Sequence, residues 1–234
     1  MKNYPSIVLT ATIIPNAIRT SHIDPILRRE EYLNAIDFYQ KYSDVYFLEN
    51  SSYDLMGDRD FFKFKNVHIR KFNPSLNYRE GKGYQEFEML DMWLSSEVDV
   101  PSRWLKLTGR YLVEDFDEII AECANENKFS IIAEQKIFPS SVTRTDIFYV
   151  TTEFYKLHLL GIYKGVDDSK NNFIEHVIRK KLNSVGQCRL FRKSPLIKGI
   201  CGSTGRFMPI TFQRRLGHQV RNLLYRANIK YRII

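Results

Sequence analysis

The chain alternates between two spacings of apolar residues, most regularly over its first 130 positions. Short runs of β-branched, aliphatic and aromatic residues, typical of buried strands, occupy positions 6–14, 45–48, 67–70, 104–107, 130–133 and 146–150. Elsewhere apolar residues recur every three or four positions, which predicts helices over 25–42, 84–95, 115–124 and near 172–182 and 212–227. Strands that alternate with helices favour βαβ units. The sequence therefore predicts an α/β fold with a mostly parallel sheet flanked by helices.

Two local signals set the start of this pattern. Pro15 is expected to end the first strand, because proline lacks the backbone N–H that a sheet needs. Asp24 is the predicted N-cap of the first helix, and Pro25 occupies its first position, where a missing N–H is tolerated.

The chain shows no internal repeat and no linker-like stretch, and 234 residues are enough to bury a substantial core. We therefore expect one main domain over residues 1–205, followed by a basic helical C-terminal extension over residues 206–234.

Composition places the chain among ordinary globular proteins, with 44% hydrophobic and 26% charged residues. Its longest apolar runs fall far short of the roughly 20 residues that span a bilayer. The first residues lack the apolar segment of a signal peptide, so a cytoplasmic location is expected. Cys123, Cys188 and Cys201 are widely spaced and odd in number, which predicts free thiols and no zinc site.

Charge is distributed unevenly along the chain. The net charge is +8, yet fourteen Lys and Arg residues and no Asp or Glu follow Glu175, so the first 175 residues carry −6. A basic surface attracts phosphate on nucleic acid, on nucleotide-linked substrates or on anionic lipid. A solvated basic face without a partner is the alternative interpretation. No RNA-binding motif favours nucleic acid.

Polar residues follow four of the predicted strands. Open α/β sheets bind ligands outside the carboxyl ends of their strands, so these four loops are expected to form one cleft. The candidate residues are Thr10, Thr12 and Asn16 after the first strand, Glu49, Asn50 and Ser51 after the second, Gly81 and Lys82 after the third, and Thr108, Gly109 and Arg110 after the fourth.

The Gly81-Lys82-Gly83 segment opens a predicted helix. It lacks the third glycine of a dinucleotide-binding fingerprint and the Gly-Lys-Ser/Thr ending of a P-loop. By itself it indicates a tight turn and a helix cap. At a helix start, however, exposed amides can bind a phosphate, and Lys82 would add a positive charge.

The order of these segments resembles small bacterial glycosyltransferases of the GT-A type, which serve capsule and lipopolysaccharide synthesis. The resemblance covers residues 6–205 and implies a GT-A-like, Rossmann-like domain in which Thr10, Thr12 and Glu49 to Ser51 hold the nucleotide of a sugar donor. It rests on Pro15-Asn16, on Glu49-Asn50-Ser51-Ser52-Tyr53-Asp54, on the Gly81-Lys82-Gly83 helix start, on Lys106-Leu107-Thr108-Gly109-Arg110-Tyr111 and on residues 197–205.

The sequence departs from this family after the fourth strand. There GT-A enzymes carry Asp-x-Asp, whose carboxylates bind a divalent cation on the donor diphosphate, whereas this chain has Thr108-Gly109-Arg110. Hard cations prefer several oxygen ligands, so this segment is a poor metal site. We expect no cofactor beyond the nucleotide-sugar co-substrate, with Arg110 and Lys82 supplying the positive charge. Binding of a divalent metal is the alternative.

Glycosyl transfer by inversion needs a carboxylate that accepts the proton of the acceptor hydroxyl. The resemblance points to an acid at the start of a late helix, which is Glu175; an ordinary surface role is the alternative. Asp146 is the second candidate, and Asp167 and Asp168 precede the same helix. Asp146 enters an apolar strand on the same face as Arg144, so this pair can equally be structural.

Together these observations predict a hexosyltransferase-like enzyme that transfers a sugar to a lipid-linked oligosaccharide. It is expected to be cytoplasmic and peripheral on the inner membrane face, with the basic segment 214–232 on anionic headgroups and no nucleic-acid partner. Two alternatives remain. One is a nucleic-acid-binding module that uses the basic C-terminal face, and the other is a catalytically degenerate transferase fold that serves as a scaffold.

Overall fold

The computed structural model describes residues 4–96, 100–136, 142–186 and 188–226. Within these ranges the strands are β1 Ser6–Ala11, β2 Val45–Glu49, β3 Val67–Lys71, β4 Arg103–Thr108, β5 Leu112–Val113, β6 Ile131–Lys136, β7 Val142–Thr151, β8 Cys188–Leu190, β9 Ile197–Ile200 and β10 Phe207–Met208. The α-helices are α1 Pro25–Tyr39, α2 Lys82–Ser96, α3 Phe116–Ala124, α4 Thr152–Phe154, α5 Ile174–Val185 and α6 Phe212–Arg226.

The central sheet has the strand order β3-β2-β1-β4-β7-β6-β8. Strands β3, β2, β1 and β4 are mutually parallel. Strand β7 runs antiparallel to both of its neighbours, and β8 is parallel to β6. A small antiparallel sheet of β10, β9 and β5 lies beside it. The predicted mostly parallel α/β fold is therefore confirmed.

Both faces of the central sheet are covered by apolar helix faces. Ile7 and Leu9 of β1 pack into a core with residues of α1 and α3. Val8, which points to the other face, packs with residues of α2 and α5. Burial on two sides explains why the parallel strands are continuous apolar runs rather than alternating ones.

Strand β1 ends at Ala11, three residues earlier than predicted. Side chains of other elements bind the backbone N–H groups of the residues that follow. Tyr32 Oη accepts from Thr12 N at 3.0 Å, Glu49 Oε1 accepts from Ile13 N at 3.1 Å, and Ser51 Oγ accepts from Ile14 N at 3.0 Å. These bonds pull residues 12–14 out of the sheet and into a loop.

Local signals at the first helix are confirmed. Asp24 accepts hydrogen bonds from the backbone N–H groups of Ile26 and Leu27, at 2.9 and 3.2 Å, and Pro25 is the first helical residue. The three cysteines are free thiols, as predicted. None of the helices in the described ranges is both long enough and apolar enough to cross a bilayer.

The predicted domain boundary at residue 205 falls within the small sheet. Phe207 of β10, beyond the boundary, pairs with Ile200 of β9, which precedes it. The predicted terminal helix is present as α6. Residues 227–234 of the predicted extension lie outside the described residues.

Candidate functional site

A cavity of about 910 Å³ opens at the carboxyl ends of β1 and β4. Thr10 and Thr108 are direct register partners on these two strands, so the topology places both at this edge. The first turns of α2 and α5 and the start of the antiparallel β7 complete the wall. The predicted site residues that line the cavity are Thr10, Thr12, Lys82, Thr108, Arg110, Asp146 and Glu175.

Glu49, Asn50 and Ser51 do not line the cavity, contrary to the expectation that they contact a sugar donor directly. All three are buried and bind the loop that follows β1. Asn50 Oδ1 accepts from Thr12 Oγ1 at 2.6 Å, and Lys71 Nζ lies 2.6 Å from Glu49 Oε2. These residues therefore shape the cavity from behind, through the position of Thr12. The sequence indicated the correct edge of the sheet but not which side chains reach the cavity.

The turn between β9 and β10, residues 201–205, closes one side of the cavity. Lys82 Nζ donates to Ser203 Oγ, and Arg110 Nε donates to the Ile200 carbonyl at 3.2 Å. A Cβ at Gly202 would lie 2.5 Å from Arg110 Nη2, so the guanidinium packs directly on this turn. Ser21 N also donates to the Gly202 carbonyl at 2.9 Å. The β9–β10 turn thus fixes Lys82 and Arg110 against the same wall.

Arg19, Lys82 and Arg110 line the cavity, and none of the three has a carboxylate partner in an ion pair among the described residues. Arg19 donates to the Asn171 side-chain carbonyl at 2.8 Å and lies over the Phe173 ring. The hydrogen bonds of Lys82 and Arg110 go to hydroxyl and carbonyl oxygens. Burial lowers the pKa of Lys82; the nearby Glu175 carboxylate opposes this in part, and the Arg110 charge acts in the same direction as burial. An anion bound between these groups would relieve that repulsion.

The two predicted acids differ in their surroundings. Asp146 is paired with Arg144, whose Nε lies 3.1 Å from Asp146 Oδ1, so the expected pairing is present. Glu175 is half-buried in the first turn of α5. Burial raises the pKa of Glu175, and the neighbouring carboxylates of Glu86 and Asp146 raise it further. A carboxylate that gains a proton readily and projects into a cavity is suited to general-base chemistry.

Sequence reasoning missed a buried ion pair at the floor of the cavity. Lys106 of β4 is fully buried, and its Nζ lies 2.6 Å from both Glu86 Oε1 and the Thr145 carbonyl. Thr10 Oγ1 donates to the same Glu86 oxygen. The sequence did contain a signal for Glu86. It lies one helical turn after Lys82, and residues at that spacing lie on the same face of a helix. Arg19, with a left-handed φ of 57°, carried no such signal.

The start of α2 differs from the phosphate-binding turn that the sequence suggested. A Cβ at Gly81 would lie 2.0 Å from Asp168 Oδ2, so a carboxylate lies directly against this glycine. Helix N-termini attract anions, and here the carboxylate of Asp168 occupies the place beside Gly81 that the sequence suggested for a phosphate. The backbone at Gly81 has a φ of 97°, which residues with a side chain rarely adopt.

We expect Gly81→Ala to destabilise the fold more than Gly186→Ala does. Gly186 also has a positive φ, 69°, but a Cβ there would meet nothing within 4 Å. Both variants should lose about 1 kcal/mol through backbone strain. Only Gly81→Ala must also displace Asp168, which should add at least about 1 kcal/mol. Urea unfolding measures both losses; equal losses would show that the Asp168 contact is unimportant.

The sequence matches no protein-family model and no curated protein. Solved structures with a similar fold include the apo-form glycosyltransferase GlyE of Streptococcus pneumoniae TIGR4, with a TM-score of 0.51 and 7% identity over 80% of this chain. This chain spans 45% of the length of GlyE. The inositol-1-phosphate CTP transferase from T. maritima has a TM-score of 0.52 and 13% identity, over 83% of this chain and 88% of that protein. The chain therefore has the GT-A-like α/β fold of such transferases.

Proposed function

We propose that this chain is a glycosyltransferase that moves a sugar from a nucleotide-sugar donor to a lipid-linked oligosaccharide in bacterial surface polysaccharide synthesis. One observation carries the proposal: a single cavity combines cations that lack carboxylate partners with a half-buried carboxylate of raised pKa. The cations match a diphosphate leaving group, and the carboxylate matches the proton of an attacking hydroxyl. In this proposal the enzyme acts as a peripheral protein on the inner membrane face, where such acceptors are anchored.

The sugar donor would lie along the ends of β1 and β4. Its diphosphate would be bound by Arg110 and Lys82, since charge-assisted hydrogen bonds to phosphate are among the stronger polar contacts. Thr10, Thr12 and Thr108 add hydroxyl groups on the same side. The volume of about 910 Å³ is at the upper end of the range for small-molecule sites and suits a ligand as large as a nucleotide sugar.

A divalent cation does not fit the segment where GT-A enzymes hold one. Thr108 and Arg110 offer one hydroxyl and one guanidinium there, and a guanidinium donates hydrogen bonds rather than electron pairs. No cluster of three or more His, Cys, Asp or Glu side chains suited to a metal occurs in the described ranges. We therefore assign the stabilisation of the leaving group to Arg110 and Lys82.

In the proposed reaction, the acceptor hydroxyl oxygen attacks the anomeric carbon while its proton passes to Glu175. The bond between the anomeric carbon and the phosphate oxygen breaks, and the nucleoside diphosphate leaves with the electron pair. Its developing charge falls on Arg110 and Lys82. Asp146 is less suited to accept the proton, because Arg144 already holds its carboxylate.

Nucleotidyl transfer is the competing chemistry, since a CTP transferase has a similar fold. In that reaction the attacking group is a phosphate monoester, which is already ionised near neutral pH and needs no base. The half-buried Glu175 carboxylate in the cavity wall is a base that such a reaction would not need, and it supports the activation of a neutral hydroxyl instead.

A thermal-shift titration with UDP-, GDP-, CMP- and dTDP-sugars tests the donor proposal. We expect one nucleotide sugar to raise the melting temperature, by an amount that grows with the logarithm of its concentration relative to Kd. Arg110→Ala should weaken its binding at least about tenfold through loss of charged hydrogen bonds. Arg59→Ala is the matched control, because Arg59 is exposed and outside the cavity lining.

The same titration is run with and without a chelator. Unchanged affinity and turnover with chelator are expected, and losses that manganese restores would contradict the metal-independent form of the proposal. Stabilisation by CTP or by RNA, with none by any nucleotide sugar, would contradict glycosyl transfer altogether.

A further inference from the structure

The apolar face of helix α6 points away from the protein, which is the reverse of an ordinary surface helix. A helix on a protein surface normally turns its apolar stripe toward the core and its polar side toward water. In α6 the exposed side chains include Phe212, Leu216, Val220 and Leu223, which are 78%, 49%, 49% and 63% exposed. Their spacing of four, four and three residues places them on one face. An apolar stripe along a helix of 15 residues is thus turned away from the protein.

Polar side chains attach the opposite side of α6 to the protein. Arg214 Nη2 donates to the Ile197 carbonyl at 2.8 Å, and Asn222 Oδ1 accepts from Ser194 N at 3.0 Å. His218 Nδ1 lies 3.0 Å from the Ser194 carbonyl. These residues recur every fourth position along the helix. Polar contacts hold the helix in place, and the apolar stripe is exposed in the part of the chain that the structure describes.

The charge around the stripe indicates what covers it. No acidic residue follows Glu175, whereas Lys198 and Arg206 are exposed on the elements that precede α6. Arg215, which is exposed, lies on the helix itself, whereas Arg214 lies on the opposite side and binds the protein. Apolar side chains flanked by Lys and Arg are the pattern of helices that lie in the interface of an anionic bilayer. Arg215 forms an ion pair with Glu114.

We propose that α6 docks this chain on an anionic membrane, with Phe212, Leu216, Val220 and Leu223 inserted among the lipid headgroups. Met208, four residues before α6, lines the cavity, and Arg214 Nη1 donates to the Pro209 carbonyl at 2.7 Å. Docking therefore sets one wall of the cavity close to the bilayer surface. This proposal rests on the peripheral membrane location in the proposed function and names the surface responsible for it, but it needs none of the cavity residues, so the docking and the reaction can be tested separately.

Sedimentation of the full chain with vesicles tests this surface. Vesicles of phosphatidylcholine with about one-third phosphatidylglycerol should bind the protein, and pure phosphatidylcholine vesicles should bind it far more weakly. Leu216→Gln combined with Leu223→Gln should reduce binding at least about tenfold, since it removes most of the inserted apolar area. High salt should also reduce binding.

The control is Met56→Gln combined with Leu157→Gln, two exposed apolar residues outside α6. This control should bind as the unsubstituted chain does. Both double variants should keep the melting temperature and the nucleotide-sugar titration of the unsubstituted chain, because neither touches the polar contacts of α6 or the cavity. Unchanged donor binding alongside lost vesicle binding separates this proposal from the proposed function.

Equal vesicle binding by the two double variants would overturn the proposal, as would a complete lack of binding to anionic vesicles. A dimer that dissociates on substitution of Leu216 and Leu223, with no vesicle binding, would assign the stripe to a second copy of the chain and overturn it too.

Discussion

Replacing Glu175 with glutamine should lower the turnover number by about 10²- to 10⁴-fold, the usual contribution of a positioned general base. Glutamine preserves the size of the side chain but cannot accept the proton of the acceptor hydroxyl. Affinity for the nucleotide sugar should change little, because the proposed diphosphate contacts come from Arg110 and Lys82. Steady-state kinetics with the donor identified by thermal shift would measure both quantities.

Asp146→Asn is the comparison variant. It disturbs the pair with Arg144 and should cost less turnover than Glu175→Gln. The opposite ranking, with full activity in Glu175→Gln, would assign the base to Asp146.

The raised pKa of Glu175 also predicts the direction of the pH dependence. A base works only when ionised, so activity should fall as pH drops through this raised pKa, earlier than for an exposed glutamate. The pH dependence of stability runs in the opposite direction to that of activity. Because the folded state favours the protonated form of Glu175, the stability linked to this group is present at low pH and is lost as pH rises through the folded pKa. Glu175→Gln should therefore melt at a higher temperature than the unsubstituted chain at pH 8, but not at pH 4.

The second large effect is expected at the floor of the cavity. Glu86→Leu should destabilise the fold by about 3 to 5 kcal/mol, the usual consequence of leaving one charge of a buried pair without its partner. Lys106 is fully buried and the side chain of Glu86 is only 20% exposed, so water in the cavity compensates only in part for the lost carboxylate. For a chain of this length, the loss corresponds to a fall in melting temperature of roughly 10 °C.

The double variant Glu86→Leu with Lys106→Met provides the control. Replacing both charges with apolar groups of similar size should recover much of the lost stability, as buried pairs elsewhere have done. A double-mutant cycle from urea unfolding gives the coupling energy. A double variant no more stable than Glu86→Leu alone would show that packing, and not the unpaired charge, causes the loss.

Much of the fold could be predicted because burial on both sides of a parallel sheet leaves a strong pattern. The strands with long apolar runs and the capped first helix were located to within a few residues. The errors arose where side chains from distant segments bind the backbone, as Glu49 and Ser51 do at Ile13 and Ile14. Such bonds join positions far apart in sequence and leave no local periodicity.

The candidate site was predictable only in part, for a related reason. The rule that ligands bind at carboxyl ends of strands places Thr10, Lys82, Thr108 and Arg110 at one edge, as the structure does. It cannot tell whether a side chain points into the cavity or supports it from behind. The outward apolar face of α6 is also invisible in sequence, because an amphipathic pattern gives the two faces of a helix but not which one meets the protein.

The cavity draws its walls from two separate parts of the chain. Within the described ranges, its lining residues lie between positions 10 and 111 and between positions 142 and 208, with none between these segments. The earlier part supplies the groups proposed for the activated sugar, and the later part supplies Glu175 and the wall next to α6. Because the β9–β10 turn of the later part also holds Lys82 and Arg110, a change of sequence in the later part is expected to alter binding of the activated sugar as well as of the acceptor.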